Sequence, residues 1–400
     1  MNHEHFEERL ALVRAVLAKH DLKPESIAPI DYDEKCPFPY NNFTYKVTLA
    51  TPSPGGFANA NAACTSVPLG DVSSLIVRLS NPNAEGINQA NRVQNEVAAL
   101  FLARRGQAPS VIPAVYDWHA RSPDLENDMS WILMEFKTGV GLDQHFEALS
   151  ETQKAAVIDQ IADIFSVVQT APLPQTVTQH GGLNVGDDGD IVSGEMTTLE
   201  GGPWPTYAAF LQTKFASRLK DADQSSALRG WKENQVRERI DAFLTSGLQK
   251  RLGDSGIDEM QRVLVHGDLS KCCLFPPLHC MLTHWDSAMN NILFDKDAVK
   301  ITGLIDFDFA FIGHPYQEFL SSFSDMGENW EKVLMAKDIL RPEVMEGIDT
   351  LKLVGRLEGL LSPFRLTHPV FLGRQTAEQI QQGRAKAETD LLACLAELGA

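Results

Sequence analysis

Two stretches of this sequence, residues 263–270 and 290–308, decide the expected fold. The first reads Val-Leu-Val-His-Gly-Asp-Leu-Ser, an apolar run of strand type that leads directly into His-Gly-Asp. The second reads Asn-Asn-Ile-Leu-Phe-Asp-Lys-Asp-Ala-Val-Lys-Ile-Thr-Gly-Leu-Ile-Asp-Phe-Asp, two apolar runs joined by a polar turn at 295–298. The pattern predicts a strand that ends at Asp268, followed later by a hairpin whose second strand ends at Asp306.

Asp268, Asn291 and Asp306 are the residue types that phosphoryl transfer requires. That reaction needs a positioned hydroxyl nucleophile and metal ions that bridge the phosphate oxygens. Asp268 would accept the hydroxyl proton, while Asn291 and Asp306 would offer oxygen atoms to Mg²⁺, which prefers oxygen ligands. The hairpin predicts Asn291 and Asp306 side by side. The alternative is that His-Gly-Asp is a plain turn and Asp306 a strand-end cap, but the order of the motifs favours phosphoryl transfer.

The spacing between Asp268 and Asn291 departs from that of kinase catalytic loops. Those loops place the base Asp and the metal-binding Asn five residues apart, whereas here the separation is 23 residues. Removal of the 18 residues 271–288 restores the spacing of five. The catalytic loop is therefore predicted to be interrupted by an atypical segment.

Three interpretations of residues 271–288 stay open. One is a metal site, but two adjacent Cys without any Cys-x-x-Cys are not the spacing of a zinc site; the possible ligands are Cys272, Cys273, His279, Cys280, His284 and Asp286. The second is a loop elaboration that covers the site. The third, which the composition favours, is translation of an unspliced short intron. A Pro pair and the lack of periodicity predict an irregular excursion there.

The N-terminal part of the chain offers a cation for phosphate. Arg78 lies in the middle of the apolar run 75–79, and Glu96 lies on the apolar side of a predicted helix over 87–105. An unpaired carboxylate there would be costly, so an Arg78–Glu96 ion pair is predicted, with Arg78 directed at the phosphates of ATP. The rival is a local Arg92–Glu96 pair at i, i+4. Arg stands where kinases use Lys.

The rest of the nucleotide site is signalled more weakly. No Gly-x-Gly-x-x-Gly is present, so the phosphate loop would be Phe38-Pro-Tyr-Asn-Asn-Phe-Thr-Tyr45 with Asn41 and Asn42 at its tip, where Asn tolerates turn geometry. A plain hairpin is the alternative. Met134, Glu135 and Phe136, at the end of the apolar run 131–136, would form a hinge whose backbone pairs with adenine. The alternative is that they are simply part of a core strand.

Bulk properties limit the partners and the compartment. The chain of 400 residues is 44% apolar and 22% charged, and its net charge of −18 disfavours nucleic acid and anionic membrane. No apolar run approaches the ~18 residues that span a bilayer, and the acidic N-terminus resembles neither a secretory signal nor a transit peptide. Six Cys do not form a disulfide framework. A cytoplasmic enzyme without an obligate protein partner is expected.

The order of the predicted elements is a helix, two strands, a helix, further strands and then mostly helices. Predicted helices cover 4–20, 87–105 and 376–399, and strands cover 43–49, 75–79 and 131–136. A loop is expected over 51–74, and a Gly- and Asp-rich loop with a short hairpin over 181–205. This order predicts an α+β fold with a small N-terminal sheet lobe, 1–136, that binds nucleotide, and a larger helical lobe, 137–400, that carries catalysis and acceptor binding.

Several motifs together resemble the aminoglycoside phosphotransferase and choline-kinase-like family, in particular a fungal branch of small-molecule phosphotransferases. They are Phe-Pro-Tyr-Asn-Asn-Phe, Val-Arg-Leu-Ser-Asn-Pro, Ile-Leu-Met-Glu, Gly-Gly-Pro-Trp, His-Gly-Asp-Leu and Ile-Asp-Phe-Asp-Phe-Ala-Phe-Ile-Gly-His-Pro. The resemblance implies a two-lobed protein-kinase-like fold and Mg-ATP as phosphate donor. It also implies that Glu318 braces the large lobe without taking part in chemistry.

The expected activity is ATP-dependent transfer of phosphate to a hydroxyl of a small molecule. The acidic balance suits a neutral or cationic acceptor, whose identity the sequence does not encode. The interrupted catalytic loop keeps a different class open, namely a catalytically impaired pseudokinase or nucleotide-binding module.

Overall fold

A computed structural model of the protein describes residues 2–30, 32–33, 36, 39–59, 62–84, 86–106, 111–121, 128–257, 260–269, 289–321, 333 and 347–400. The chain divides into two compact units. The first comprises residues 1–203, 263–313 and 317–339, and the second comprises residues 204–262, 314–316 and 340–400.

The first unit is built on a five-stranded antiparallel sheet. Its strands lie in the order β1, β2, β3, β5, β4. Their bounds are β1 Pro24–Pro29, β2 Asn42–Ser53, β3 Val72–Ser80, β4 Val115–His119 and β5 Trp131–Glu135. The central strand β3 pairs with β2 on one side and β5 on the other, so Arg78 lies opposite Thr44 and Ile132.

One face of this sheet forms an apolar core with helix α1, Phe6–Lys19. Side chains alternate along β2, with Phe43, Tyr45, Val47 and Leu49 buried and their neighbours half-buried. Such alternation places every second residue on one face of a strand. The buried set packs with Val13, Val16 and Leu17 of α1. This face binds the sheet to α1 by burial of apolar surface.

Three more helices and three small sheets are described in the first unit. Helix α2, Arg92–Arg105, packs against β4 and β5, and helix α3 covers Glu151–Gln169. Two small sheets follow: β7, Gly182–Val185, pairs with β8, Ile191–Gly194, and β9, Val263–Val265, pairs with β12, Phe311–Gly313. A three-stranded sheet joins β6, Val140–Gly141, to β10, Ile292–Asp295, and β10 to β11, Lys300–Leu304. A short helix covers Gln317–Ser321.

The second unit is helical in the part that the structure describes. Its longer helices are α4 Tyr207–Gln224, α5 Val236–Ala242, α6 Leu248–Asp254, α7 Ile348–Leu361 and α8 Ala377–Leu398, with one turn of π-helix at Phe243–Gly247 between α5 and α6. The buried Trp231 donates its indole N–H to the Leu361 carbonyl at 2.8 Å. Glu358 of α7 accepts from Lys214 at 2.9 Å and Arg218 at 3.2 Å, both on α4.

The observed elements confirm the predicted α+β class, with shifted ends. The predicted helix over 87–105 begins only at Arg92 because Asn88 is held outside it. The Asn88 side chain donates to Glu195 at 2.7 Å and its backbone N–H donates to the Thr197 carbonyl at 2.8 Å. The C-terminal helix begins at Ala377, where Thr376 and Gln379 form a capping box. The predicted hairpin within 181–205 is β7–β8. No helix among the described residues is long and apolar enough to cross a membrane.

Candidate active site

Asp268 and Asn291 are in contact although 23 residues separate them. The Asn291 side-chain nitrogen donates to the Asp268 carbonyl oxygen at 2.8 Å and to its carboxylate Oδ2 at 3.1 Å. Asn291 also accepts the Ile305 N–H at 2.9 Å through its backbone oxygen, which fixes it beside the strand that leads to Asp306. The predicted base and the two predicted metal residues are therefore brought together. The interpretations of residues 271–288 fall outside the described residues.

His266 orients the backbone at Asp268. Its ring is buried, Nε2 lies 2.9 Å from the Ile305 carbonyl, and Nδ1 lies 3.3 Å from the Asp268 N–H. A carbonyl oxygen only accepts and an amide N–H only donates, so these contacts require the neutral ring with its hydrogen on Nε2. Burial lowers the pKa of His266, and this outweighs the opposing attraction of Glu318.

Glu318 holds the His-Gly-Asp turn through backbone hydrogen bonds. Its carboxylate accepts the backbone N–H of His266 and, at 3.2 Å, that of Gly267. Gly267 has φ of 80°, and a Cβ there would lie 2.6 Å from the Phe309 carbonyl oxygen. Only glycine fits a positive φ with such a close backbone approach. The turn that leads to Asp268 is thus fixed by the hydrogen bonds to Glu318 and by the close packing of Gly267 against the Phe309 carbonyl.

Asp306 combines exposure with an unusual backbone. Its φ and ψ are 63° and 66°, the left-handed region that residues with a Cβ rarely adopt. Its side chain is 36% exposed and accepts from Arg78 Nη1 at 2.7 Å. Residues that the surrounding structure holds in an unfavourable backbone conformation are common at functional sites. The conformation turns an accessible carboxylate towards the cation on β3.

Arg78 contacts two carboxylates at once. Nη2 pairs with Glu96 of α2, and Nη1 pairs with Asp306. The predicted Arg78–Glu96 pair is confirmed, and the rival Arg92–Glu96 pair is wrong because Arg92 binds a different acid. Both Arg78 and Glu96 are buried. The guanidinium offers donors in two directions from one plane, which a Lys ammonium at this position does not reproduce.

The partner of Arg92 is Asp308, two residues beyond Asp306. Arg92 Nε donates to Asp308 Oδ1 at 2.8 Å and Nη2 donates to Oδ2. The predicted loop residue Asn42 also donates to Oδ2, at 3.1 Å. Burial is the largest single influence and would raise the pKa of Asp308, but the charges of Arg92 and Arg78 and the hydrogen bonds from Arg92 and Asn42 together outweigh it, so the pKa is lowered. Sequence reasoning missed this site residue, although the second acid of Ile-Asp-Phe-Asp was its signal.

Glu135 and Phe136 lie apart from this cluster, towards the other end of the sheet. Glu135 faces Leu75, three residues along β3 from Arg78, which is about 10 Å of strand. Its carboxylate accepts the Ala114 N–H at 3.0 Å and Lys137 at 2.7 Å, while its backbone N–H donates to the Ala114 carbonyl. Lys46 Nζ lies 4.1 Å from the Phe136 ring centroid. The Glu135 N–H is thus engaged within the protein, so a base contact there would use other backbone groups.

The donor set fits Mg²⁺. The Asn291 nitrogen is used in bonds to Asp268, so its side-chain oxygen is the atom directed to a ligand, and Asp306 adds an accessible carboxylate. Magnesium is commonly held by one or two such protein oxygens and completed by phosphate and water. Among the described residues, no group of three or more His, Cys, Asp and Glu side chains is placed to hold a metal, so any Mg²⁺ here would depend on the nucleotide for further ligands.

Part of the chain matches a known protein family. Residues 275–344, which include Asn291, Asp306 and Asp308, match the model of the phosphotransferase enzyme family. The resemblance to this family is confirmed. Among curated proteins, none matches the chain significantly.

Solved aminoglycoside phosphotransferases share the fold. A thermostable mutant of APH(4)-Ia, in a ternary complex with AMP-PNP and hygromycin B, superposes with a TM-score of 0.51 at 15% identity, over 98% of this chain and 99% of that one. ADP-bound APH(2'')-Ib gives a TM-score of 0.48 at 14% identity, over 97% and 98% of the two chains. The predicted protein-kinase-like fold of the aminoglycoside phosphotransferases is confirmed.

Proposed function

We propose that the protein is an ATP-dependent phosphotransferase that acts on a hydroxyl group of a small molecule. The observation that carries the proposal is the contact of Asp268 with Asn291, next to an Asp306 that faces Arg78. These are a base, two metal-type oxygen donors and a phosphate-type cation, the parts that phosphoryl transfer uses. The match to the phosphotransferase family supports the same reaction class.

Each residue has a separable role in this proposal. Asp268, held by the braced turn, accepts the proton of the acceptor hydroxyl as the oxygen attacks the terminal phosphate. Arg78 binds phosphate oxygens, and Glu96 keeps its guanidinium in place. Asn291 and Asp306 would hold Mg²⁺, which when bound neutralises charge on the phosphate oxygens.

The nucleotide would lie along the polar face of the five-stranded sheet. Asn42 and Arg78 mark the phosphate end, and Glu135 with Phe136 marks the base end. The structure of APH(4)-Ia that resembles this chain contains AMP-PNP, which supports a nucleoside triphosphate as donor. On this proposal residues 1–136 bind the nucleotide, and residues 137–400 carry catalysis and the acceptor, in a cytoplasmic enzyme.

The acceptor is proposed to be a neutral or cationic alcohol. A chain with net charge −18 attracts cations and repels anions over the range of a Debye length. The structure of APH(4)-Ia also contains hygromycin B, which supports a polar small molecule. Phosphorylation of an acidic acceptor such as a sugar phosphate would contradict the electrostatic argument.

The test of the proposal is Asp306→Ala. We expect this variant to abolish the Mg²⁺-dependent gain in AMP-PNP affinity, measured by titration calorimetry with and without Mg²⁺, because it removes the accessible carboxylate. The matched control is Asp297→Ala, since Asp297 is an exposed acid in the turn of the same hairpin. An unchanged Mg²⁺ gain in Asp306→Ala, at an unchanged melting temperature, would remove Asp306 from the metal site.

A further inference from the structure

Asp308 is a second acid in the same turn as Asp306, but its surroundings are different. Arg92 and Asp308 are 1% and 3% exposed. Arg92 binds both carboxylate oxygens of Asp308, and Asn42 adds a hydrogen bond to one of them. Both oxygens of this buried carboxylate are therefore already bound by protein donors.

The two ion pairs of this region close into a ring through helix α2. Glu96 and Arg92 are four residues apart, so they lie on one face of that helix. Glu96 pairs with Arg78, and Arg78 pairs with Asp306. Two residues further along the chain, Asp308 pairs with Arg92, which returns to helix α2. A change at any point of the ring alters the restraint on Asp306.

Asn42 connects this ring of contacts to strand β2. Asn42 is the first residue of β2, two residues before Thr44, which faces Arg78. Its hydrogen bond to Asp308 therefore links the predicted phosphate loop to the turn that carries the predicted metal ligand. Asp306 itself has a left-handed backbone, which is an unfavourable conformation that persists only where the surrounding contacts hold it.

We propose that Asp308 and Arg92 form a positioning pair, not a metal site, that fixes the Asp306 carboxylate for Mg²⁺ and couples it to Asn42. This rests on the proposed function, because it assigns Asp306 to Mg²⁺. Outer residues that orient a metal ligand contribute strongly to metal affinity, and their removal typically weakens it about 10- to 100-fold. Arg92 and Asp308 would act on Asp306 through the short backbone link 306–308, whereas Arg78 bonds its carboxylate directly.

The experiment compares Asp308→Asn, Arg92→Met and the double variant. The measured quantity is the ratio of AMP-PNP dissociation constants without and with Mg²⁺, together with the melting temperature. We expect each single variant to reduce this ratio about 10- to 100-fold. The double variant should lose little more than either single one, because both changes break the same pair. Arg92→Lys, which keeps the charge but not the two-pronged contact, should lie between wild type and Arg92→Met.

The matched control is Asp117→Asn. Asp117 is also buried, at 1% exposure. Its carboxylate contacts Lys19 at 2.7 Å, His20 at 3.0 Å and Asn59 at 3.0 Å. None of these residues contacts Asp306 in turn, so the variant changes a buried acid away from the proposed metal site. It should lose stability and keep the wild-type Mg²⁺ ratio. A reduced ratio in this control as well would show general destabilisation and overturn the proposal.

Other outcomes separate the alternatives. If Asp308 bound Mg²⁺ directly, Arg92→Met would release its carboxylate and keep or raise the ratio while Asp308→Asn lowered it, which would overturn the positioning role. Wild-type ratios in both folded variants would overturn it too. Should Arg92→Met not fold, Arg92→Lys and Asp308→Asn decide by the same criteria. A wild-type protein without any Mg²⁺ gain would overturn the proposed function and this inference together.

Discussion

The two faces of the five-stranded sheet differ in the kind of contact that they make. On one face Tyr45, Val47 and Leu133 pack with α1 in a largely apolar core, in which the buried Arg9 lies over the Phe43 ring and donates to the Tyr45 hydroxyl. On the other face the same strands present Asn42, Thr44 and Arg78, and Arg78 reaches Asp306 across 228 residues of sequence. The first face is held by burial of apolar area, which is non-directional. The second depends on ion pairs whose geometry must be maintained.

This difference teaches that stability and proposed activity should respond to different substitutions. On the proposed function, changes on the polar face would remove contacts to the nucleotide or to Mg²⁺, while changes on the apolar face would lower the free energy of unfolding. The following substitutions test that separation.

The largest effect is expected for Asp268→Asn. Loss of a positioned general base typically slows a reaction by about 10² to 10⁴, and the isosteric amide keeps the contact with Asn291 possible. We expect phosphorylation of an alcohol found in a metabolite screen to fall by that factor, while AMP-PNP affinity and the melting temperature stay at wild-type values. Turnover within about twofold of wild type would remove Asp268 from the base role.

A substitution on the apolar face should show the reverse behaviour. Leu133 is fully buried in the core under α1, and Leu→Ala changes in such positions cost about 2–5 kcal/mol. Denaturant unfolding should show this loss for Leu133→Ala, with the Mg²⁺-dependent AMP-PNP affinity retained below the transition. The control Leu69→Ala alters a side chain that is 95% exposed, and we expect less than about 0.5 kcal/mol there. A large loss of nucleotide affinity in folded Leu133→Ala would break the separation.

Arg78→Lys tests whether charge or shape matters on the polar face. Lys keeps the positive charge but cannot direct separate nitrogens to Glu96 and Asp306. A lost hydrogen bond to a charged group is worth about 1.5–3 kcal/mol, so we expect AMP-PNP affinity to fall about 10-fold or more in calorimetric titration. Wild-type affinity in this variant would show that the charge is sufficient.

The smallest effect concerns pH. The pKa of His266 is lowered in the folded state, so the unfolded chain binds the proton more tightly than the native one. The stability contributed by the neutral ring is therefore complete above the unfolded pKa of ~6.5 and is lost as the pH falls below it. The slope is at most about 1.36 kcal/mol per pH unit. His266→Gln should remove this part of the slope in unfolding experiments between pH 7 and 5; an unaltered slope would contradict it.

Local patterns predicted the elements whose side chains alternate or recur, and failed where partners are distant. Strands β2, β3 and β5 follow from their apolar residues, whereas β1 was missed because Pro-Glu-Ser-Ile-Ala-Pro at 24–29 has no buried face. Arg78–Glu96 was predictable because an unpaired acid on an apolar helix face is costly. Arg92–Asp308 was not, since the two residues are 216 apart and Glu96 was a local alternative for Arg92.

The contact between Asp268 and Asn291 has a consequence for how such sites are found in other sequences. The entropy of closing a loop rises only with the logarithm of its length, so a separation of 23 instead of five residues adds about 1.3 kcal/mol. Natural variation in that length is therefore thermodynamically inexpensive to accommodate. A search pattern with fixed spacing would overlook this chain, whereas one defined by the two anchors, His-Gly-Asp before the gap and Asn-Ile-Leu-Phe-Asp after it, would retrieve it.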